Sequence, residues 1–385
     1  MPSSRDFYLY RLRSFLIFLL FIACTGKEKV TDKTIEPGTS VPLRYAEGFK
    51  VTDVDGGRLV EVTYPFQGAL SGYKYLLVDR GDTVPPHSND TRVINIPIRS
   101  IVCTSTTHIP MLDYLGETKK LIGFPMLDYI SSKKMRERID SGKVAELGVD
   151  KGMNIEQLAV LNPDVVMGYM LSGDYGQYKK IEELGMSVVM NGEYLEKHPL
   201  GRAEWIKFVA LFFNKEQEAD SIFDEIEKSY LATTRLVDSV KERPTVLSGI
   251  VYGDGWFLPG GKNYAAHLLQ DAGCDYLWKD DSSNGFLQLS FESVYEKAYN
   301  ADLWIGVGSY ASLKELKDAD QRYAKFKPFK EGNVYTYNAR IGAKGGNEYL
   351  ELGYLRPDII LKDLVKIAHP SLLPSYELFF HRKIQ

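Results

Sequence analysis

The sequence predicts an α/β protein: two doubly wound lobes joined by a long helix and preceded by a small β leader. Three observations carry this expectation. From Val93 onward, short apolar strands alternate with short amphipathic helices, which implies largely parallel sheets. The alternation stops once, at a helical stretch with no Gly or Pro from Glu216 to Glu242, and returns after Pro244. One pattern is written twice, once in each alternating region: "GMNIEQLAVLNPDVVMGY" at Gly152–Tyr169 and "QLSFESVYEKAYNADLWIGVGS" at Gln288–Ser309. Each opens on a polar capping residue, an apolar residue and a glutamate, continues as a short amphipathic helix, reaches Asn-x-Asp and enters an apolar strand. This is a weak internal repeat of supersecondary structure.

At 385 residues the chain is long for one domain and comfortable for two. Hydrophobic residues make up 44% and charged residues 25%, enough for a real core, and a net charge of −4 gives no reason to expect a nucleic-acid partner. Twenty-five tyrosines are a surplus, and surplus tyrosine suits surfaces that hold aromatic or polar ligands.

The elements follow in order. Residues 1–23 carry Arg5, Arg11 and Arg13, then the apolar run "SFLIFLLFI", then Ala23 before Cys24. A basic region, a short apolar region and a small residue describe a secretory signal, and the run is too short to span a bilayer comfortably. The small residue before cysteine resembles a bacterial lipobox, which implies cleavage before Cys24 and lipid on its sulfur. Phe21 departs from the usual leucine, so an ordinary signal peptide with an incidental cysteine is the other reading. Residues 24–42 read as a polar tether. Residues 43–92 form the β leader: "GFKVTDVDGGRLVEVTY" alternates about Asp55-Gly56-Gly57, a hairpin signature, and "YKYLLVDRG" adds a strand.

Residues 93–198 form the first lobe, with strands expected in "VINIPIRSIVCTS", "KLIGFP", "DVVMGY" and "SVVMNG" and helices in "IPMLDYLG", "NIEQLAVL" and "QYKKIEELG". Residues 199–243 are helical with a break at Asn214-Lys215. An unbroken helix from Glu216 to Glu242 would run roughly 40 Å, with Ile222, Phe223, Ile226 and Tyr230 on one face. Residues 244–385 form the second lobe, from the strand "TVLSGIVYG" to the helix "RPDIILKDLVKIAHP" ended by Pro370. Cys103 and Cys274 fall in different lobes; a disulfide is one reading and two separate buried thiols the other.

Across Val93 to Pro370 the pattern resembles the periplasmic substrate-binding proteins of ABC importers that carry ferric siderophores, haem and vitamin B12. The duplicated stretches are similar to that family's motifs in its two lobes, "FLPGGKNYAAHLLQDAGC" to its apolar-Gly-Lys segment, and "RPDIILKDLVKIAHP" to its terminal helix. The resemblance implies two Rossmann-like lobes linked by a rigid helix, the class III binding-protein fold. It further implies a monomer without a resident cofactor, attached to the membrane only by lipid, that hands an iron chelate or a tetrapyrrole to a dimeric permease in the inner membrane. In this family one exposed glutamate per lobe docks onto permease arginines, and the matching positions are Glu156 and Glu292. Carboxylate–arginine pairs suit that task, giving orientation and salt-dependent steering. The other reading is local: Asn154 and Ser290 are good N-caps, and glutamate in a first turn favours the helix dipole.

In open α/β sheets, ligands bind beyond the carboxyl ends of the strands. The loops expected there hold Phe124, Tyr129, Tyr169, Tyr175, Trp256, Phe257, Phe286 and Tyr310, with Arg340 and Lys344 as cations. Aromatic walls with a few cations suit a large, flat ligand carrying negative charge. Trp256, between Gly255 and Phe257 in a Gly-rich stretch, is expected to be the most exposed; core packing is the alternative for any one of these rings. The six histidines are scattered with no His-x-x-His or His-x-x-x-His pair, so no metal site for a bare ion is expected. His108, in the first cleft loop, is read as a satisfied loop residue, with a ligand contact as the alternative. No Gly-x-Ser-x-Gly or His-Glu-x-x-His pattern is present, so catalytic residues are not expected; a hydrolase would have to be built from a pair such as Ser105 and His108. A surface binder without a transporter would keep the cleft and not need the two glutamates.

Overall fold

The computed structural model describes residues 38–149 and 152–385; the expected signal segment, Cys24 and most of the expected tether lie outside them. Among the described residues no helix is long and apolar enough to cross a membrane.

The first lobe is built on a parallel sheet in the order Ser187–Met190, Val165–Gly168, Ile101–Cys103, Leu121–Phe124, Ala145–Glu146. The second has Asp275–Tyr276, Thr245–Ser248, Leu303–Ile305 and Val334–Thr336 in parallel, closed by an antiparallel edge strand at Arg382–Lys383. The interior strands are buried along their length, as expected of sheets covered on both faces by crossover helices. Both duplicated stretches are short capped helices followed by such a strand: Asn154 accepts from the Gln157 amide at 2.9 Å and Ser290 from the Ser293 amide at 3.1 Å.

Helices Pro199–Leu211 and Glu216–Leu236 connect the lobes and pack on each other, with Asn214 in the left-handed region (φ 55) at the break. The second helix is shorter than the sequence implies. It spans 21 residues, roughly 30 Å, and Val237 caps it just before Asp238 and Ser239, residues that favour turns over helix interiors. In the first helix every residue except Lys207 is buried, including Arg202 and Glu204. Helices apolar on all sides belong inside a protein.

The leader is a five-stranded sheet: Thr39–Val41, Phe49–Val54, Gly57–Val62, Tyr73–Asp79 and Thr91–Ile96, antiparallel except for the last pair. Its hairpin turns at Asp55-Gly56, with Gly56 at φ 76. The leader thus starts inside the expected tether and takes the strand at Thr91–Ile96 that the sequence reading gave to the first lobe. Pro97 is the reason: it cannot donate to a ladder, and it splits "VINIPIRSIVCTS" into a leader strand and a lobe strand at Ile101–Cys103.

Two buried carboxylates fasten the leader to the connecting helices. Glu204 accepts from the amides of Arg44, Tyr45 and Ala46 at 2.7–3.1 Å. Glu196, just before the helix, accepts from the amides of Glu47 and Gly48 and from the Trp205 indole at 2.9 Å. Phe49 then packs 4.8 Å from Trp205, ring centre to ring centre. One core consequently runs through the leader, the connecting helices and both lobes.

Removing the Glu204 carboxylate by Glu204→Ala leaves three leader amides without their acceptor and should cost on the order of 3 kcal/mol. Hydrogen exchange is expected to rise at residues 44–46 before any other part of the leader; unchanged protection there would show that Glu204 does not hold it.

Candidate functional site

A cavity of about 460 Å³ opens beyond the carboxyl ends of the second-lobe strands. Its floor comes from Ser248–Ile250 and Ile305–Gly308, and the start of helix Tyr264–Asp271 forms one side. Gly249 makes this geometry possible. At φ +79 it turns the chain out of the lobe sheet, and an added Cβ would lie 1.8 Å from the Phe257 carbonyl. The expected single strand "TVLSGIVYG" is therefore two strands. The second, Ile250–Tyr252, enters a three-stranded antiparallel sheet with Gly255–Pro259 and Phe286–Leu289.

That small sheet decides which aromatic rings reach the cavity. Side chains alternate along a strand, so neighbours face opposite ways. Phe257 faces the cavity, as does Phe286, which belongs to a strand and not to the loop expected from sequence. Trp256 faces inward. It is fully buried, its indole donates to the Ser248 carbonyl at 3.0 Å, and it stacks on Trp304; the expectation that it is the most exposed ring is corrected.

One charge stands over the cavity. Arg202, on the buried connecting helix, donates to the Tyr194 carbonyl at 2.7 Å and the Glu196 carbonyl at 3.1 Å. Its guanidinium lies 3.9 Å from the centre of the Tyr264 ring and 4.6 Å from that of Tyr354. Such stacking holds a cation with little hydration. Tyr337 and Tyr349 stack nearby at 4.8 Å. Burial pushes the Tyr264 and Tyr349 phenols well above their usual range, so this wall stays neutral. The Tyr264 hydroxyl is buried with no hydrogen-bond partner among the described residues. His381 completes the lining, held by Asp363, which also accepts the amides of Phe379, Phe380 and His381.

The other expected cleft residues lie elsewhere. Phe124 ends a first-lobe strand inside the core, 2% exposed, because that strand is covered on both faces. Tyr175 is half-buried between Tyr73 and Arg92, at the contact of leader and first lobe. Tyr310 packs on the second-lobe core. Arg340 is exposed, paired with Glu348 at 2.6 Å and lying over Phe379. Tyr169 comes close: its ring meets the edge of Tyr194, a cavity residue. Arg202, Tyr264, Tyr349 and Tyr354 were missed. The signal for Arg202 was a lone arginine in the apolar run "GRAEWIKFVALFF".

His108 is fully buried, 4.0 Å from Glu193, and burial pushes its pKa down to about 3, so it is a neutral interior residue. His198 caps helix Pro199–Leu211 and His369 bonds the Gly273 carbonyl. Cys103 and Cys274 are separate buried thiols. Among the described residues no group of three or more His, Cys, Asp or Glu is placed to hold a metal ion. Both Glu156 and Glu292 project from first helical turns into solvent; Glu292 lies 3.6 Å from Arg322.

The lobes also touch beside the cleft. Glu351, 2% exposed, accepts from the Ser132 amide at 2.9 Å and from the amide and hydroxyl of Ser131, and Arg356 donates to the Tyr114 hydroxyl at 2.8 Å. Burial lifts Glu351 to about 7, opposed by the Ser131 and Ser132 hydrogen bonds and aided by repulsion from Asp113.

Comparison with known proteins gives a consistent picture. The periplasmic binding protein family matches residues 101–341. An uncharacterized lipoprotein of Methanocaldococcus jannaschii is 28% identical over 403 residues, covering 96% of this chain and 96% of its own; a second from the same organism is 28% identical over 365 residues, covering 89% and 85%. Among solved structures, a periplasmic binding protein from Veillonella parvula has a TM-score of 0.56 at 16% identity, covering 85% of this chain and 96% of its own. A periplasmic heme binding protein from Pseudomonas aeruginosa has 0.55 at 15%, covering 71% and 94%. An ABC transporter substrate-binding protein from Listeria monocytogenes has 0.52 at 19%, covering 71% and 99%. At such identities these structures establish a shared fold.

An unfolded glutamate titrates near about 4.3. Between there and about 7 the folded state holds a proton at Glu351 that the unfolded state does not. Its contribution to stability is full below the unfolded value and lost as pH rises through the folded one. Melting curves should therefore show wild type losing stability relative to Glu351→Gln as pH rises across that window; parallel pH profiles would contradict the shift.

Proposed function

The chain belongs to the periplasmic binding protein family, and on that premise we propose that it is a lipid-anchored solute-binding protein that captures an iron chelate of the siderophore type and delivers it to an ABC permease. One observation carries the cargo class: a cavity walled by neutral aromatic rings with a single stacked guanidinium, Arg202, over it. Aromatic walls give area to a flat ligand, and the cation selects negative charge. The unpartnered Tyr264 hydroxyl offers a donor for an oxygen-rich ligand. A haem or a corrinoid fits the same description and is the second reading, favoured by the stacked tyrosine walls. The function is capture and release, with no covalent chemistry.

The anchor is Cys24, supported by its place after an apolar run and a small residue. Delivery uses Glu156 and Glu292, supported by their exposure at matching points of the two lobes. A two-lobed protein meeting a dimeric permease needs one acidic contact per lobe, and such rim charges set orientation more than affinity.

Titration of the full chain in detergent with haem, cyanocobalamin and ferric catecholate and hydroxamate chelates, followed by tryptophan quenching, tests the cargo. One probe is expected to bind saturably, and Phe257→Ala should weaken it roughly tenfold, the loss of an aromatic contact. Failure of every probe to bind would contradict the cargo class. Replacing Glu156 and Glu292 together by Ala should abolish uptake in cells and leave affinity intact; an equal loss of affinity would contradict the docking role.

A further inference from the structure

The leader does more than cover the connecting helices. Between its strands Gly57–Val62 and Tyr73–Asp79, residues 63–72 leave the leader sheet and lie against the lobes. Phe66 packs so tightly on the first lobe that a Cβ at Gly173 would meet its ring at 3.3 Å. The Tyr64 carbonyl approaches Gly192 closely enough that a Cβ there would lie 2.8 Å away. The Tyr194 hydroxyl joins two loops, donating to the Met170 carbonyl and meeting the Gln67 backbone. Tyr194 is itself a cavity residue.

A groove of about 330 Å³ results, lined by Tyr64, Phe66 and Gln67 of the leader, Leu195 and Lys197 before the connecting helix, and Asn284 of the second lobe. It adjoins the cavity on two sides, through Tyr194–Leu195 and through Asn284–Phe286. At this mouth two rings face water: Tyr64 of the groove is 52% exposed and Phe286 of the cavity 69%. Lys197 is exposed and is the basic side chain of a lining that also holds the exposed Glu47 and the buried Glu196, whose carboxylate is taken up by the Glu47 and Gly48 amides and the Trp205 indole. The cavity alone sits toward the lower end of the range for drug-sized ligands, roughly 300–1,000 Å³. A metal chelate or tetrapyrrole calls for more room than a cavity at that lower end offers.

We infer that the leader loop forms the outer wall of the cargo site. Cargo seated over Arg202 and Phe257 extends out of the cavity onto Tyr64 and Phe66, and Lys197 meets a second acidic group on it. This rests on the cargo reading above. The loop precedes the residues matched by the family, so it supplies specificity that the two-lobed core does not.

The test uses the full chain in detergent and the same probes: haem, cyanocobalamin and ferric chelates. Tyr64→Ser alters an exposed side chain, and unchanged melting confirms folding. This variant is expected to bind the recognised probe roughly tenfold more weakly, and Lys197→Gln several-fold more weakly. Hydrogen exchange at residues 64–72 should slow when the probe binds to wild type. If Phe257→Ala weakens binding while both rim variants stay within about twofold of wild type, with no protection of 64–72, the outer wall is overturned and the cargo reading stands. If wild type binds none of the probes, the cargo reading falls and the outer wall with it.

Discussion

The structure depends on one helix that has no free face. Pro199–Leu211 is buried along nearly its whole length, and three of its polar side chains are used in different directions. Glu204 takes up the leader amides, the Trp205 indole meets Glu196 beside the leader strand, and Arg202 reaches the cavity. A charge inside a protein is tolerated only when partners compensate it, and both charges here have them. Arg202 has two carbonyls and two rings, and Glu204 has three amides and Lys207 at 3.2 Å. The position of the cavity's cation and the position of the leader are thereby fixed by the same rigid element.

This arrangement has a mechanical consequence. Bending the connection between lobes would break helix hydrogen bonds and disturb a core that continues into the leader. A second tie exists where Glu351 of the second lobe takes the Ser131 and Ser132 donors of the first. A protein held at two points gains its affinity from a preformed site more than from closure, which limits the entropic cost of capture.

Much of the plan was legible in the sequence because it rests on local signals. Apolar strands separated by short amphipathic helices revealed both lobes, and Asn154 and Ser290 are the caps their positions suggest. What was missed depends on contacts distant in the chain or on strand parity. The bond from Arg44 to Glu204 joins residues 160 apart, so nothing near Glu204 announces the leader. Trp256 and Phe257 are neighbours of similar character, and only the turn at Gly249 decides which of them faces the cavity. Arg202 reads locally as a long side chain snorkelling from an apolar helix, and its role appears once Tyr264 and Tyr354 close over it.

Held at both ties, the lobes form a preorganised clamp. Distance measurement between spin labels on Lys143→Cys and Lys317→Cys addresses it directly: both sites are exposed, one in each lobe, while Cys103 and Cys274 are buried from the label. A single distance that moves by no more than a few ångströms when haem or a ferric chelate is bound is the predicted result. Two populations in the free protein, or a large shortening on binding, would contradict the clamp and show that these lobes close by a hinge.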